Sequence, residues 1–270
     1  MKRNRFLTII AIFLLLTSCE EVITINLNSA NPVVVVEGNI TANQVCTVKL
    51  SYTSDYFNND TTKLIENAIV TLTDSKGESE ILTNTGNGNY SGKSILGDYK
   101  TQYKMDIKIG DEDFTAASYL PSPVSFNRLF FEKSTAERFN PQNNRTTYNM
   151  NLWINDDINS TNYYILTIRK NSQTGDGRYL LFKDNYLSET GVISYAPGRR
   201  SFALGDTVNV KIYSVDQETY LYYTQLNDVS GGRMGESSTP YNPKSNFGTN
   251  VMGYFMAQSI ADTTVIVSVK

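Results

Sequence analysis

Residues 103–109, with the sequence YKMDIKI, predict the fold more clearly than any other stretch of the chain. Their apolar side chains alternate strictly with charged ones, which is the period-two pattern of a strand that buries one face and exposes the other. Gly110 and Asp111 follow as a turn, and the chain continues as a second strand over residues 114–118. This segment therefore predicts a half-buried β-hairpin.

Strands of the same kind precede the hairpin. Residues 33–36 are a β-branched run, and residues 46–52 and 68–73 alternate between apolar and polar side chains. Turn signals about every 8 to 12 residues between such strands are typical of a β-sandwich. Two prolines at 121–123 then favour an extended connector that interrupts strand pairing. We therefore predict an Ig-like β-sandwich domain over residues 33–120.

The second half of the chain is again rich in strands. Alternating or β-branched runs occur near residues 148–154, 164–168, 208–212 and 265–269. They predict a second β-rich domain over residues 124–270.

Residues 217–229 break the strand pattern. Ser214 and Gln217 are spaced as in a capping box, which marks the start of a helix. Three apolar residues then recur at helical spacing on one face: Tyr222, Leu226 and Val229. The sequence therefore predicts a mostly β fold whose second domain carries one amphipathic helix over its face or open end.

The composition excludes several classes of site. The 270-residue chain has no histidine, which excludes imidazole-ligated metal centres and the Ser-His-Asp and Cys-His nucleophile systems. Its two cysteines exclude a disulfide scaffold. We predict no catalytic residue, no metal site and no cofactor, and the net charge of −3 gives no electrostatic reason to bind nucleic acid.

Residues 1–18 read as a lipoprotein signal peptide. Lys2, Arg3 and Arg5 form a basic start, and residues 6–16 are apolar, which is too short for a comfortable membrane span but suits a signal sequence. Residues 16–19, Leu-Thr-Ser-Cys, resemble a bacterial lipobox with Cys19 as the lipidated residue. The alternative is an ordinary cleaved signal with an accidental cysteine.

Cleavage before Cys19 would leave 252 residues with a net charge of −6, tethered through residues 19–32. Several acyl chains on one cysteine give stable membrane anchoring. Glu20 and Glu21 follow directly and resemble the signal that sends Bacteroidota lipoproteins to the outer face of the outer membrane. The remaining Cys46 shares a strand face with Val48 and Leu50, so we predict a buried thiol rather than a reactive one.

Acidic pairs are the main candidates for chemistry. Residues 111–113 (Asp-Glu-Asp) and 156–157 (Asp-Asp) flank turns. Paired acids can bind calcium or act as acid and base, whereas acids beside turns are also commonly solvated and cap backbone groups. Neither run has the spacing of a calcium loop, so we favour the second interpretation.

Three Asp-Thr pairs resemble the O-glycosylation sites of Bacteroidota, with Thr61, Thr207 and Thr263 as acceptors. Chance also produces such short motifs.

Aromatic side chains with polar neighbours are the candidates for ligand or partner binding. Tyr and Trp beside Asn or Arg suit protein interfaces and sugar stacking, but they also fill small β cores. The binding candidates are Trp153, Tyr195, Arg199, Arg200, Tyr241 and Phe247.

The N-terminal stretch 19–27, CEEVITINL, followed by 34–38, VVVEG, resembles the start of the DUF4249 family of Bacteroidota lipoproteins. Further similarity lies at residues 103–109, around the helix, and at 240–243 (PYNP) leading to 253–255. The resemblance covers essentially the whole mature chain. It implies no enzyme activity, and Cys19 is the one functional residue that it transfers.

Genes of that family often lie beside TonB-dependent outer-membrane receptors. The resemblance therefore implies a surface-facing, outer-membrane lipoprotein that acts as a non-catalytic accessory subunit of such a β-barrel receptor in nutrient uptake. Two alternatives stay open: a structural lipoprotein in adhesion or envelope assembly, and a hydrolase that uses carboxylates.

Overall fold

The structure, a computed structural model, describes residues 31–54, 62–134, 146–155, 157, 160–171, 179–184, 191–198, 200–230 and 241–268. The strands of the first half are β1 Val34–Thr41, β2 Val45–Tyr52, β3 Ile69–Asp74, β4 Ser79–Ile81, β5 Thr83–Gly86, β6 Asn89–Leu96, β7 Thr101–Ile109 and β8 Glu112–Leu120. Those of the second half are β9 Ser125–Lys133, β10 Tyr148–Asn155, β11 Tyr163–Lys170, β12 Leu180–Lys183, β13 Val192–Tyr195, β14 Thr207–Val215 and β15 Val251–Ile266, with the helix α1 at Gln217–Ser230 between the last two. The predicted mostly β fold is confirmed.

Strand β7 contains the segment that predicts the fold. Its residues alternate between buried and solvent-facing along its length, as the sequence predicts. It pairs antiparallel with β8 across the turn at Gly110 and with β3 on its other side. Tyr103, Met105 and Ile107 are at most 1% exposed, so the apolar face of this strand forms the centre of a core.

Three sheets form two sandwiches. The largest sheet has the order β12-β11-β14-β15-β1-β2-β6-β5. One part of its inner face packs on the sheet β4-β3-β7-β8, and the other part packs on the sheet β13-β10-β9, so two separate hydrophobic clusters result. The β-sandwich architecture predicted from the sequence is thus confirmed.

Strand β15 changes partners along its length. Residues from Val251 to Gln258 pair in parallel with β1, and residues from Gln258 to Ile266 pair antiparallel with β14. One strand therefore completes the large sheet of both sandwiches. In its first half, Gly253 has a positive φ of +82°, and a Cβ atom at this position would lie 1.9 Å from the Val36 carbonyl oxygen. Only glycine fits this close approach without strain.

The predicted division of the chain differs from the observed one because of this strand. The connector at 121–123 does separate the two clusters along most of the sequence, since one ends at Leu120 and the other begins at Val124. However, Phe247, Val251 and Phe255 lie in the first cluster, although the sequence places them in the second domain. Residues 32–270 form one compact unit.

The helix α1 agrees with the prediction in position but not in its cap. Asp216 Oδ1 accepts a hydrogen bond from the Thr219 backbone N–H at 2.8 Å, so Asp216 is the N-cap. Ser214 instead lies buried in β14. The predicted apolar face of Tyr222, Leu226 and Val229 is only half-buried, and Thr219 is the one helical residue that is fully buried.

Aromatic rings make the main contacts of the helix. Tyr220 packs on Tyr163 with ring centroids 5.3 Å apart, and Tyr222 packs on Tyr254 at 4.7 Å. Tyr163 and Tyr254 belong to β11 and β15, and they alternate with the residues that face the two cores. The helix therefore lies on the opposite face of the large sheet from the two smaller sheets.

Cys46 is fully buried in the first cluster, as predicted. Burial, reinforced by the nearby Glu80 carboxylate, raises the pKa of its thiol far above the ordinary value. The predicted signal peptide and tether lie outside the described residues, apart from 31–32. Within the described ranges, no helix has both the length and the apolar character needed to cross a bilayer.

Candidate functional site

Asp216 joins the two sandwiches at the start of the helix. Its Oδ2 accepts hydrogen bonds from the Ser118 hydroxyl at 2.7 Å and from the Tyr119 backbone N–H at 2.8 Å. Both donors belong to β8 of the first sandwich, whereas Asp216 follows β14 of the second. The same carboxylate therefore caps α1 and fixes β8 against it.

Side chains also close the free edge of β15 at this junction. Ser118 Oγ accepts a hydrogen bond from the Ala257 backbone N–H at 2.9 Å. Asn246 Oδ1 accepts one from the Phe255 N–H at 3.0 Å, and its Nδ2 donates one to the Phe255 carbonyl at 2.8 Å. At Phe255 and Ala257, these side chains supply the hydrogen bonds that a neighbouring strand would otherwise make.

A cavity of about 300 Å³ lies beside this junction. Its walls come from Lys100 and Tyr119 of the first sandwich, the connector at 121–124, the turn after β10, and the residues that lead into α1. The volume is at the lower end of the range for small-molecule pockets, which often lie where two structural units meet.

The lining combines apolar surface with many polar side chains, few of which are charged. Lys100 is its one cation among the described residues, and Asp157 and Asp216 are its anions. Hydroxyl and amide groups supply the rest of the polar surface: Ser122, Asn155, Ser160, Thr161, Asn162, Ser214 and Gln217, with Tyr119, Tyr163 and Tyr164 as aromatic members. Such a surface suits a polar ligand without a large net charge.

Trp153, the first of the predicted binding residues, lies on the outer face of the sheet β13-β10-β9. It is half-buried, and its ring meets Phe130 edge-on with centroids 5.6 Å apart. The Arg128 guanidinium lies 4.4 Å from the Phe130 ring centroid and 5.6 Å from that of Trp153. The three side chains thus form a cluster on the surface that is stabilised by its own cation–π contacts.

Tyr195 and Arg200 lie close together but serve the second core. Tyr195 stacks on Phe182 with ring centroids 4.5 Å apart, and burial raises its pKa although nearby Arg200 opposes that shift. The Arg200 guanidinium donates to the Ile168 carbonyl oxygen at 3.1 Å. These contacts favour a packing role for both residues. Arg199 lies outside the described residues.

Tyr241 and Phe247 follow the helix in sequence but have different surroundings. Tyr241 is 43% exposed, whereas Phe247 is 9% exposed and belongs to the first hydrophobic cluster. The interpretation of Phe247 as a binding residue is therefore corrected: it is a core residue, because β15 brings this segment into the first sandwich. Among the residues that the structure describes, the predicted binding candidates do not come together at one site.

The acidic candidates do not converge either. Residues 111–113 are exposed at the turn between β7 and β8, where Asp113 forms an ion pair with Lys108 at 3.6 Å. Asp157 is exposed and lines the cavity, and Asp156 lies outside the described residues. Within the part of the chain that the structure describes, no group of three potential metal-ligating side chains occurs.

Two of the three glycosylation candidates are described. Thr207 is exposed at the start of β14, and Thr263 is half-buried within β15. Their neighbouring acids serve the fold, since Asp206 accepts hydrogen bonds from Ala203 N–H and Asn171, and Asp262 accepts one from Asn209. Thr61 lies outside the described residues, as do Cys19, Glu20 and Glu21.

Neither the junction nor the cavity is predicted from the sequence. Asp216 reads there as an interior position of a capping box, and the connector at 121–123 reads as a boundary alone. The available signal was the position of Asp216 directly before the helix, which suits an N-cap. Its contact with Ser118 is invisible in the sequence, because the two residues lie 98 positions apart.

Comparisons with known proteins support a family but no described activity. A family model described as "Domain of unknown function (DUF4249)" matches residues 20–264. No curated protein matches the chain. Among solved structures, the FN1–FN3 domains of chicken CNTN1 are 13% identical, with a TM-score of 0.22, and the match covers 70% of this chain and 62% of that one. That similarity carries no functional argument.

Proposed function

The chain belongs to the DUF4249 family, and on that premise we propose that it is a lipid-anchored, surface-facing protein of the outer membrane. In this role it is a non-catalytic binding subunit that accompanies a TonB-dependent β-barrel receptor in nutrient uptake. The proposal includes Cys19 as the lipid site and the two-sandwich unit as the binding body.

The sequence of residues 1–19 is the observation that supports a lipid anchor. A basic start, an apolar run and the tetrapeptide Leu-Thr-Ser-Cys occur in the order that lipoprotein processing requires. Fourteen positions separate Cys19 from Val33, and β1 begins at Val34. Such an arrangement would hold a folded body near the membrane by its N-terminus.

The geometry of the junction supports binding better than catalysis. The hydrolase alternative requires two carboxylates with oxygen atoms that are free to exchange a proton or attack a substrate. At the cavity, both oxygen atoms of Asp216 already accept hydrogen bonds from the fold. They hold β8 and α1 in place, so the carboxylate acts as a structural tie beside a preformed cavity.

Native purification from outer membranes tests the proposal. The wild-type chain, expressed from its own locus with a C-terminal tag, should co-purify with a β-barrel receptor in a mild detergent. A Cys19→Ser variant should lose both lipidation, visible by mass spectrometry, and membrane association. A Thr17→Ser variant, which leaves the cysteine in place, is the matched control.

Two outcomes would overturn the proposal. One is a Cys19→Ser protein that stays in the membrane fraction without lipid. The other is a lipidated wild-type protein that co-purifies without any β-barrel while the deletion strain shows altered attachment, which would favour the adhesion alternative.

A further inference from the structure

We propose that the cavity beside Asp216 is a binding site for a neutral, hydroxyl-rich small molecule of the mono- or disaccharide class. This inference rests on the proposed binding function, and it adds the site and the chemical class of the ligand.

The first argument is the set of polar groups that remain available. Five lining side chains make no hydrogen bond with another described residue: Tyr119, Ser122, Thr161, Tyr163 and Gln217. Each hydroxyl and the Gln217 amide can both donate and accept a hydrogen bond. Sugar hydroxyls have the same dual capacity, so these groups suit a saccharide as hydrogen-bond partners.

Two polar side chains of the lining itself are held in fixed positions. Asn155 Oδ1 accepts from Asn127 at 2.8 Å, and its Nδ2 donates to the Ser125 hydroxyl at 2.9 Å. Asp216 is fixed by three donors. Preorganised polar groups of this kind reduce the entropy cost of binding.

A buried pair of serines includes the lining residue Ser214. Ser259 pairs directly with Ser214 in the register of β14 and β15, and both residues are buried. The Ser259 hydroxyl has no hydrogen-bond partner among the described residues. An apolar floor would be expected in a sandwich interior, and an unpaired buried hydroxyl is unfavourable unless something polar can reach it. The polar character of the lining residue Ser214 therefore continues to its neighbour Ser259 on β15.

Charge decides against an anionic ligand. Asp157 and Asp216 outnumber Lys100 in the lining, so a phosphate or carboxylate group would meet net repulsion. The rings of Tyr119 and Tyr163 also offer apolar surface, which suits the C–H face of a sugar ring. Together these features favour a neutral saccharide over a sugar phosphate.

Saturation-transfer NMR on the full chain in lauryldimethylamine oxide, a detergent without a sugar headgroup, tests the site. The probes are glucose, galactose, mannose, N-acetylglucosamine, maltose and cellobiose, with glucose 6-phosphate as the anionic comparator and the tripeptide Ala-Pro-Ala as the peptide comparator. We expect transfer to at least one neutral sugar, and less to glucose 6-phosphate than to glucose.

Three variants connect any signal to the cavity. Ser122→Trp should abolish transfer by filling the space, whereas Ser201→Trp, at an exposed loop position outside the lining, should leave it unchanged. Gln217→Ala removes one exposed hydrogen-bonding side chain and should weaken binding by about three- to tenfold. Thermal unfolding shows that each variant is folded, and Gln217→Ala keeps the test valid if the bulky variant does not fold.

The proposal is overturned if folded wild-type protein gives no transfer to any neutral sugar. It is equally overturned if only the phosphate or the tripeptide binds, or if Ser122→Trp and Ser201→Trp behave alike. Co-purification of a β-barrel is a separate readout, so a protein that retains its receptor but binds no sugar would contradict this inference and leave the proposed function standing.

Discussion

The strands that cover the two hydrophobic cores differ in how regularly their buried and exposed residues alternate. In the first, β7 alternates buried and solvent-facing positions along its whole length, and its outward residues are mainly charged. In the second, the covering strand β9 is irregular, with Leu129, Phe130 and Phe131 all half-buried in succession. The pairing of β9 with β10 also shifts register beside Trp153.

The difference arises from the residues on the outer face of each covering sheet. The outer face over the first core carries ion pairs such as Lys104–Asp106 at 2.9 Å, so the sequence alternates. The outer face over the second carries the cluster of Arg128, Phe130 and Trp153, so apolar side chains occupy both faces and the alternation is lost. An aromatic cluster on the outer face thus weakens the alternation by which a strand is recognised in a sequence.

Despite this difference, one strand makes the two cores interdependent, and Gly253→Ala is the strongest test of that link. The added Cβ would lie 1.9 Å from Val36 O, so β1 and β15 must separate, and we expect a loss of about 4 kcal/mol or more of unfolding free energy. Urea unfolding can be followed in each core separately. The thiol reactivity of Cys46 reports the first core, and the fluorescence of Trp153, the single tryptophan, reports the sheet over the second.

Both midpoints should fall together in this variant. Gly248→Ala is the matched control, because its φ is also positive at +104° but nothing lies within 4 Å of its added Cβ, so we expect a loss of about 1–2 kcal/mol. A Gly253→Ala protein whose Cys46 becomes reactive early while Trp153 keeps its wild-type midpoint would show that the cores unfold independently.

Asp216→Ala tests the second connection between the sandwiches and should have a smaller effect. It removes the helix N-cap and leaves the buried Ser118 hydroxyl without its acceptor, and we expect a loss of about 3 kcal/mol. In a chain of this size, that loss corresponds to a fall in Tm of roughly 6–12 °C, measured by calorimetry.

Asp113→Ala is the control for that variant. Asp113 is exposed and forms only a surface ion pair, so its loss should change stability by less than about 0.5 kcal/mol. Equal effects of the two substitutions would contradict the role of Asp216 as the connection between β8 and α1.

The smallest expected effect is a pH dependence that arises from one carboxylate of the second sandwich. The Ala203 backbone N–H, with further contributions from Asn171 and Lys170, holds the pKa of Asp206 below its ordinary value. Because the folded-state pKa is lowered, this carboxylate stabilises the fold above about pH 4, and that stability is lost as the pH falls through the folded pKa. Asp206→Asn should therefore cost on the order of 1 kcal/mol at pH 7 and less at pH 3.

Urea unfolding followed by Trp153 fluorescence at both pH values measures this difference. Asp113→Asn, which makes the same charge change at an exposed site, should show no such dependence. An Asp206→Asn cost that is the same at pH 3 and pH 7 would exclude the carboxylate charge as the source.

Several elements can be predicted from the sequence because they depend on residues that are close together in the chain. The alternation in β7 and the Gly110 turn predict the hairpin, and the start of α1 follows from polar residues with the right spacing. The prediction of the cap was wrong by two residues, since Ser214 is an interior residue of a strand. A sequence pattern cannot show which of two nearby polar side chains reaches the helix N–H groups.

The binding candidates were harder to predict because exposure depends on distant chain segments. Tyr195 and Phe247 are aromatic residues of the kind found at interfaces. However, Phe182 stacks on Tyr195, and Phe247 lies within the first core. Conversely, Tyr119, Ser122 and Thr161 carry no motif and acquire their significance only where the connector, the turn after β10 and the start of α1 meet.

By itself, the sequence determined most of the strands with their buried faces and the position of the helix α1, since side-chain periodicity and helix-start chemistry act over a few residues. Tertiary structure alone decided that β15 changes partners at Gln258. The Gln258 side chain reaches Thr41, 217 positions away, and no local pattern encodes a contact over that distance. Because that strand joins both cores, tertiary structure also decided where the junction and its cavity form.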